Sequence, residues 1–340
     1  MSNLLLGVDI GASNIKMIEL REKKLGFAVK DILIARTPNR TVVDGAVLDH
    51  GAVSKVVGDM FRTMKGAQKD AAVAVHGEDV VVKRVKVPWN GKGNFQEEFL
   101  WSAEQYIGMS AENASFDAQL LRFDIESQTA DAVLAAAQKD KVADLLTTAK
   151  QAGLNPVVVD IEALAIVNLI NNLKGVQKHV NAVIDMGHDS VRIIFYENGH
   201  VDMIKTLNKG GKFLSEDFAQ DMSYDIEKAE GIIRSPEAMN SDADAQAAAM
   251  AYGKNLGAEI ETQVDIYMQD RGKEPVDFYA CGATGYVAEV LENIETSIGV
   301  SISHVDPFKY IELPANLRPV VDASGAGTFA VAAGLAMRKA

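Results

Sequence analysis

Hydrophobic and polar positions alternate at two different periods along this chain. Leu4 to Val8 and Ile15 to Leu20 are short apolar runs separated by a polar turn, and they predict a strand hairpin ending in the polar segment Arg21-Glu22-Lys23-Lys24. Ser54 to Met64 places Val56, Val57, Met60 and Phe61 at helical spacing. Ala71 to Val75 reads as a short buried strand. Asp79 to Val87 alternates valine with lysine and arginine, the period of a half-exposed strand. The segment Pro88-Trp89-Asn90-Gly91-Lys92-Gly93 interrupts the pattern. A helix is expected over Phe95 to Ile107, followed by strands at Phe116 to Phe123 and Asp131 to Ala137. Asp140 to Ala152 predicts a helix stopped by Gly153, with Asn155-Pro156 preventing its continuation. The valine run 157–159 reads as a buried strand, and Glu162 to Leu173 as a helix.

Residues 171–176 are the best candidate hinge. Beyond it the pattern starts again: Ala182-Val183-Ile184, a polar turn, then Val191 to Tyr196 and the turn Glu197-Asn198-Gly199. Residues 213–270 are expected to be mostly helical and polar, with a mobile acidic stretch at Asn240 to Asp244. Phe278-Tyr279-Ala280 is a strand, Tyr286 to Ile298 a helix. The end of the sequence carries Gly325-Ala326-Gly327 and a small-residue helix through Met337.

The two hairpins share more than their hydrophobicity. The first turn reads Asp9-Ile-Gly-Ala-Ser-Asn-Ile-Lys16 and the second Asp185-Met-Gly-His-Asp-Ser-Val-Arg192, so that Asp9 matches Asp185, Gly11 matches Gly187 and Lys16 matches Arg192. A single Asp-x-Gly is a common hairpin turn. Its recurrence near the chain midpoint favours a pair of related lobes that hold a nucleotide's phosphates between them. Gly11 and Gly187 would let turn amides approach a phosphate. Ser13, Asn14 and Ser190 offer neutral contacts, Lys16 a positive charge, and Asp9 could hold Mg²⁺ through water.

Other residues are candidates on weaker grounds. Gly210-Gly211-Lys212 precedes a helix and could bring amides near a nucleotide, although Gly-Gly is also ordinary loop sequence. Glu227, Glu230 and Arg234 share a helical face that could reach a ribose or simply be solvated. Gly282 and Ala283 follow a strand and allow close approach to a purine. Glu162 opens a helix and could orient a water, but an acidic residue there also suits the helix dipole. Cys281 has no neighbouring His or Asn and reads as packing. His188 occupies a turn position where a smaller residue would leave more room.

With 340 residues the expectation is two domains. The net charge of −13 and the absence of a basic block argue against a nucleic-acid partner and against direct docking on anionic lipid. The lone cysteine, Cys281, excludes an internal disulfide and fits a reducing compartment. No signal-peptide pattern and no uncharged run of 18 apolar residues is present, so the expected address is the cytosol. The six histidines show no metal-ligand spacing, and no Ser-His-Asp or Gly-x-Ser-x-Gly arrangement is visible.

In their order, the paired hairpins and late glycine turn resemble the ATPase fold shared by actin, heat-shock chaperones and sugar kinases: an α/β, ribonuclease H-like duplicated two-lobed fold. Within it the chain is similar to the FtsA-like branch, and more narrowly to PilM-like type IV pilus assembly proteins. The resemblance rests on Leu6 to Leu20, on Val82-Lys-Arg-Val-Lys-Val-Pro88 leading into Glu97-Glu98 and Glu104 to Ile107, on Lys209 to Lys212 and Glu227 to Glu230, and on the ending Ala330 to Arg338. It implies residues 1–87 plus 142–176 as the first lobe, 88–141 as an inserted subdomain, 177–325 as the second lobe with a helical part at 213–270, and 326–340 as a terminal helix.

It also implies ATP–Mg²⁺ in the interlobe cleft. Asp9, Gly11, Ala12, Ser13, Asn14 and Lys16 would form the first phosphate loop, and Asp185, Gly187 and Ser190 the second. Gly210, Gly211, Lys212, Glu230, Gly282 and Ala283 would face ribose and base. Asp9 and Asp185 would hold the metal through water, and with Glu162 they are the catalytic candidates, for slow ATP hydrolysis at most. A groove beside the insertion would take the N-terminal cytoplasmic tail of a PilN-like inner-membrane protein, recruiting the chain to the inner face of that membrane, with nucleotide as a conformational switch. Self-association is left open. His188, Cys281 and Arg234 depart from the residues usual at their positions. The alternatives are an FtsA-like polymerising division protein, which would be expected to end in an amphipathic anchor not found after Leu335, and a small-molecule kinase of the same fold.

Overall fold

The computed structural model describes residues 4–100 and 104–339. Its strands, in chain order, are β1 (Leu6–Ile10), β2 (Asn14–Glu22), β3 (Phe27–Arg36), β4 (Val42–Val43), β5 (Ala46–Val47), β6 (Asp70–Val75), β7 (Val81–Pro88), β8 (Ala114–Asp124), β9 (Thr129–Gln138) and β10 (Asn155–Ile161). After the helix Glu162–Lys174 come β11 (Asn181–Met186), β12 (Val191–Glu197), β13 (His200–Leu207), β14 (Asp277–Cys281), β15 (Ile302–His304) and β16 (Ile311–Glu312).

One sheet runs β10-β6-β1-β2-β3-β16; the other runs β15-β14-β11-β12-β13-β7-β9-β8. Their centres repeat. β1 is antiparallel to β2 and parallel to β6, which is parallel to β10. In the same way β11 is antiparallel to β12 and parallel to β14, which is parallel to β15. The third strand of each meander, β3 or β13, lies antiparallel to the second. The duplication expected from the two Asp-Gly turns is therefore a duplication of five strands, and the two-lobed actin-like architecture is present.

The central strands β1 and β11 are buried along their whole length, so both faces of each sheet centre are covered. The helix Ala330–Ala336 completes the first lobe from the far end of the chain. It lies against β1 and the helix Glu162–Lys174 through small residues: a Cβ on Gly7 would clash with Ala332 O, and one on Gly334 with Ala165 O. Burying each large aliphatic side chain in this core, such as Leu5, Leu6 or Ile18, contributes about 2 kcal/mol.

The insertion is a three-stranded sheet, β7-β9-β8, backed by the short helices Phe95–Leu100 and Glu104–Ile107. The expected single helix from Phe95 to Ile107 is seen as these two pieces, and the residues between them lie outside the described ones. β7 pairs along its full length with β9, so the hydrogen-bonded unit starts at Val81, ahead of the Pro88 break. β7 also meets β13 at one pair, Met203 opposite Lys83, which joins the insertion to the second-lobe sheet.

Two expectations fail locally. The valine run 157–159 is not buried: β10 is a sheet edge, and Val157 and Val159 are 42% and 36% exposed. Pro156 sits at a bulge on that edge, where a missing amide costs no ladder bond. The acidic stretch near Asn240 is not a mobile loop either. It is the junction of the helices Pro236–Ser241 and Ala243–Arg271, where the Asp242 carboxylate accepts from the amides of Asp244 and Ala245.

Candidate functional site

The two Asp-Gly turns face each other across a cleft of about 470 Å³. Their geometry is nearly the same. In the first, Gly11 N donates to Asn14 O at 3.2 Å, and in the second Gly187 N donates to Ser190 O at 3.1 Å. A Cβ on either glycine would come within 3.1 or 3.0 Å of that carbonyl, so the glycines allow the turns to close. Among the described residues the amides of Ala12 and Ser13 donate to no carbonyl or side chain, leaving the first turn with free donors beside the cleft.

Below each turn lies a buried cross-strand ion pair. Asp9 sits opposite Lys16 in the β1–β2 register, with Nζ 2.9 Å from Oδ2; Asp185 sits opposite Arg192 in β11–β12, also at 2.9 Å. Both aspartates are 4% exposed. Lys16, expected to aim its charge at a phosphate, thus neutralises Asp9 first while still lining the cleft. Burial pulls its ammonium down, but the charge and hydrogen bond of Asp9 outweigh this and hold it above the ordinary lysine range.

The second pair carries an extra negative charge. Glu162, the first residue of its helix, places Oε2 2.5 Å from the same Arg192 nitrogen, as an ion pair without the alignment of a hydrogen bond. Burial and the neighbouring Glu162 charge push the Asp185 carboxyl up to about 6, against the pull of Arg192. Glu162 is likewise raised by burial. The buried Cys281 thiol points at Asp185 Oδ1 at 3.5 Å, and burial beside that carboxylate drives its pKa well up; it packs rather than reacts. Burial and the Arg192 charge lower His76 to about 4, so its imidazole is neutral.

Most of the residues singled out from sequence meet here. Asp9 through Asn14 (Ile10 apart), Lys16, Glu162, Asp185, Gly187 and Ser190 line the cleft, as do Gly211, Gly282 and Ala283. Gly210, Lys212 and Glu230 lie behind or beside it. The amides of Gly211 and Lys212 donate to the carbonyls of Gly187 and His188, so the Gly-Gly-Lys segment supports the second turn from behind. Lys212 Nζ reaches Asp189 Oδ1 at 3.1 Å. Glu230 is engaged by Arg36 from the opposite lobe at 2.8 Å and by Arg234 at 3.2 Å, while Arg234 also donates to Ser13 Oγ at 3.0 Å. Glu227 has no part in this bridge.

Arg36 and Asp44 were not anticipated. Arg36 ends β3 directly opposite Asn14, so the hairpin register alone places it at the cleft. Asp44-Gly45 is a two-residue turn with both residues at positive φ, between β4 and β5, and its Asp44 amide donates to Asp189 Oδ2 of the other lobe at 2.9 Å. The sequence signal for that turn was present as Asp-Gly between paired apolar residues.

Among the described residues no three acidic, His or Cys groups are placed to hold a metal ion directly. Asp9 and Asp185, each already carrying a cation, would reach an ion through its water shell, the mode in which Mg²⁺ on a polyphosphate is usually held.

A second cavity, of about 390 Å³, lies between the insertion and the first lobe. One wall is Ser115 to Gln119 on β8, the other Val159 to Ile161 on β10, with Ala135, Leu164 and Val167 between them. Among the described residues β8 and β10 end their respective sheets, so two unpaired strand edges border one groove.

Known proteins fall in line with this architecture. The chain is similar to a solved structure described as the PilM-PilN type IV pilus biogenesis complex, with 22% identity, 99% of each chain covered and a TM-score of 0.86. It is similar to the ethanolamine utilization protein EutJ from Carboxydothermus hydrogenoformans, at 16% identity over 99% of this chain and 92% of that one, TM-score 0.58. It also resembles MreB 5 of Spiroplasma citri bound to AMPPNP, at 10% identity over 98% and 95%, TM-score 0.50. No single helix among the described residues is long and apolar enough to cross a membrane. Residues 7–340 match the family described as type IV pilus assembly protein PilM, and the chain belongs to that family.

Proposed function

We propose that this actin-like pilus assembly protein binds ATP–Mg²⁺ between its lobes and the N-terminal cytoplasmic tail of a PilN-like inner-membrane protein in the groove between β8 and β10, with nucleotide acting as the switch. The observation that carries the nucleotide half is the pair of matching turns, each above a buried aspartate with its own cation, across a cleft large enough for a nucleoside triphosphate. A protein of the same fold is described bound to AMPPNP, which supports the choice of ligand. Ser13 and the free turn amides would take phosphate oxygens, Asp9 and Asp185 would order the metal's waters, and Gly282 and Ala283 would pass along the base. Glu162, held above the ordinary carboxyl range, would be the acceptor for a water if the triphosphate is cleaved.

The partner half rests on the paired strand edges. An extended tail laid along them would gain main-chain hydrogen bonds and a few apolar anchors, and the description of a PilM-PilN complex supports the choice of partner. Recruitment to the inner membrane would then come from the tail.

Isothermal titration of the full chain tests both halves. Mg-ATP should bind saturably to wild type and fail to bind Asp185→Ala. A synthetic tail peptide should bind with different affinity in the presence and absence of Mg-ATP. Absence of ATP binding would remove the nucleotide reading, and equal tail affinities would remove the switch.

A further inference from the structure

We infer that Asp160 is a buried hydrogen-bond acceptor in the β8–β10 groove, built to receive an uncharged donor from an extended peptide. The inference rests on the reading of that groove as the tail site and adds the chemistry of what enters it.

Asp160 lies on the free edge strand β10 and lines the groove, yet it is only 6% exposed. Its Oδ1 is used locally, accepting from the Ile161 amide at 2.8 Å. Its Oδ2 is buried and has no hydrogen bond among the described residues. Among the described residues its ion-pair partner is Arg338, whose Nε stands 3.5 Å away without the alignment of a hydrogen bond, and whose side chain is 42% exposed. A carboxylate oxygen removed from water with its hydrogen-bonding capacity unfilled is costly, and such groups mark sites where a missing partner completes the set.

The charge around Asp160 narrows the partner. Asp160 and Arg338 already form a neutral pair, so Oδ2 calls for a hydrogen-bond donor rather than a second cation, and a positive charge on the tail would meet the exposed Asp117 of the β8 wall instead. An amide or hydroxyl donor satisfies Oδ2 without adding charge. The neighbouring walls suit the rest of a peptide: Ala118 and Ala135 are small, and Leu164 and Val167 are apolar. The geometry therefore selects a segment with a neutral N–H or O–H donor next to small apolar contacts.

Asp160→Asn tests this with little risk to folding, because the carboxamide keeps an oxygen for the Ile161 amide and puts an NH₂ where Oδ2 was. Titration of the full-length variant with a synthetic N-terminal tail of the PilN-like protein should show affinity about 10- to 100-fold weaker than wild type. Alanine-scanned tail peptides, measured against both proteins, locate the donor: the penalty of Asp160→Asn should disappear at an Asn, Gln, Ser or Thr position, or at none if a main-chain amide is the donor. Disappearance at a Lys or Arg position would overturn the uncharged-donor claim. Ala135→Trp, which fills the groove, separates the two readings. If it abolishes binding while Asp160→Asn binds as wild type, the groove holds the tail and the role of Asp160 is refuted. If both variants bind as wild type, the groove reading falls and this inference falls with it.

Discussion

Replacing Asp185 with Asn should make this protein more stable. The Asp185 carboxyl is held at about 6 by burial and by Glu162, against an ordinary value of 3.8. A folded-state value raised above the unfolded one means that the folded chain binds the proton more tightly, so stability is lost as pH rises through this window. Above pH 6 the penalty is complete, and the difference between about 6 and 3.8 corresponds to about 3 kcal/mol. At pH 4.5 most of the folded molecules carry the proton and the penalty shrinks to about 1 kcal/mol. Asn has no charge to desolvate, keeps the shape, and leaves Arg192 paired with Glu162. Guanidinium melts should therefore show Asp185→Asn more stable than wild type by about 2–3 kcal/mol at pH 7.5 and by about 1 kcal/mol at pH 4.5. The same variant should lose Mg-ATP binding, the signature of a residue kept for chemistry at the expense of stability. A variant less stable than wild type at pH 7.5, or a difference independent of pH, would refute this account of the Asp185 environment.

Three further substitutions probe separate parts of the structure. Lys16→Met strands the buried Asp9 without its cation and should cost about 3–5 kcal/mol in denaturant melts, most of it recovered in the Asp9→Asn, Lys16→Met double variant. Gly282→Ala places a Cβ against Met186 O at a φ of +84° and should lower stability by about 2 kcal/mol or more, seen as a depressed Tm. Asp242→Ala removes the cap of the 29-residue helix Ala243–Arg271 and should cost about 1 kcal/mol, with nucleotide and tail binding unchanged in titrations.

The repeated centre of the fold was legible because its signal is local: each hairpin is a contiguous run, and Asp, Gly and a basic residue recur at fixed offsets within it. The positions that misled depend on what lies beside a strand rather than on the strand itself. Three valines in a row look the same on a covered strand and on a bare edge, and only Pro156 hinted at the edge. Composition does not distinguish a loop from a capped helix start, so Asp242 looks from sequence like part of a mobile acidic stretch. Within the cleft, the residues on the hairpins themselves were visible from sequence. The engagement of Glu230 by Arg36, and of Asp189 by the Asp44 amide, joins segments about 150–200 positions apart and has no local trace.

The seam between β13 and β7 changes how the insertion should be pictured. In chain order it interrupts the first lobe, yet its sheet continues that of the second, through one main-chain pair reinforced by Arg84, which bridges Asp131 on β9 and Glu197 at the end of β12. The insertion is thus tied to both lobes, by its sheet to the one across the cleft and by Val82, Val133 and Ala137 to the core of the first. Closing the proposed nucleotide cleft would therefore load the same sheet that walls the proposed tail groove, with no separate relay of side chains required.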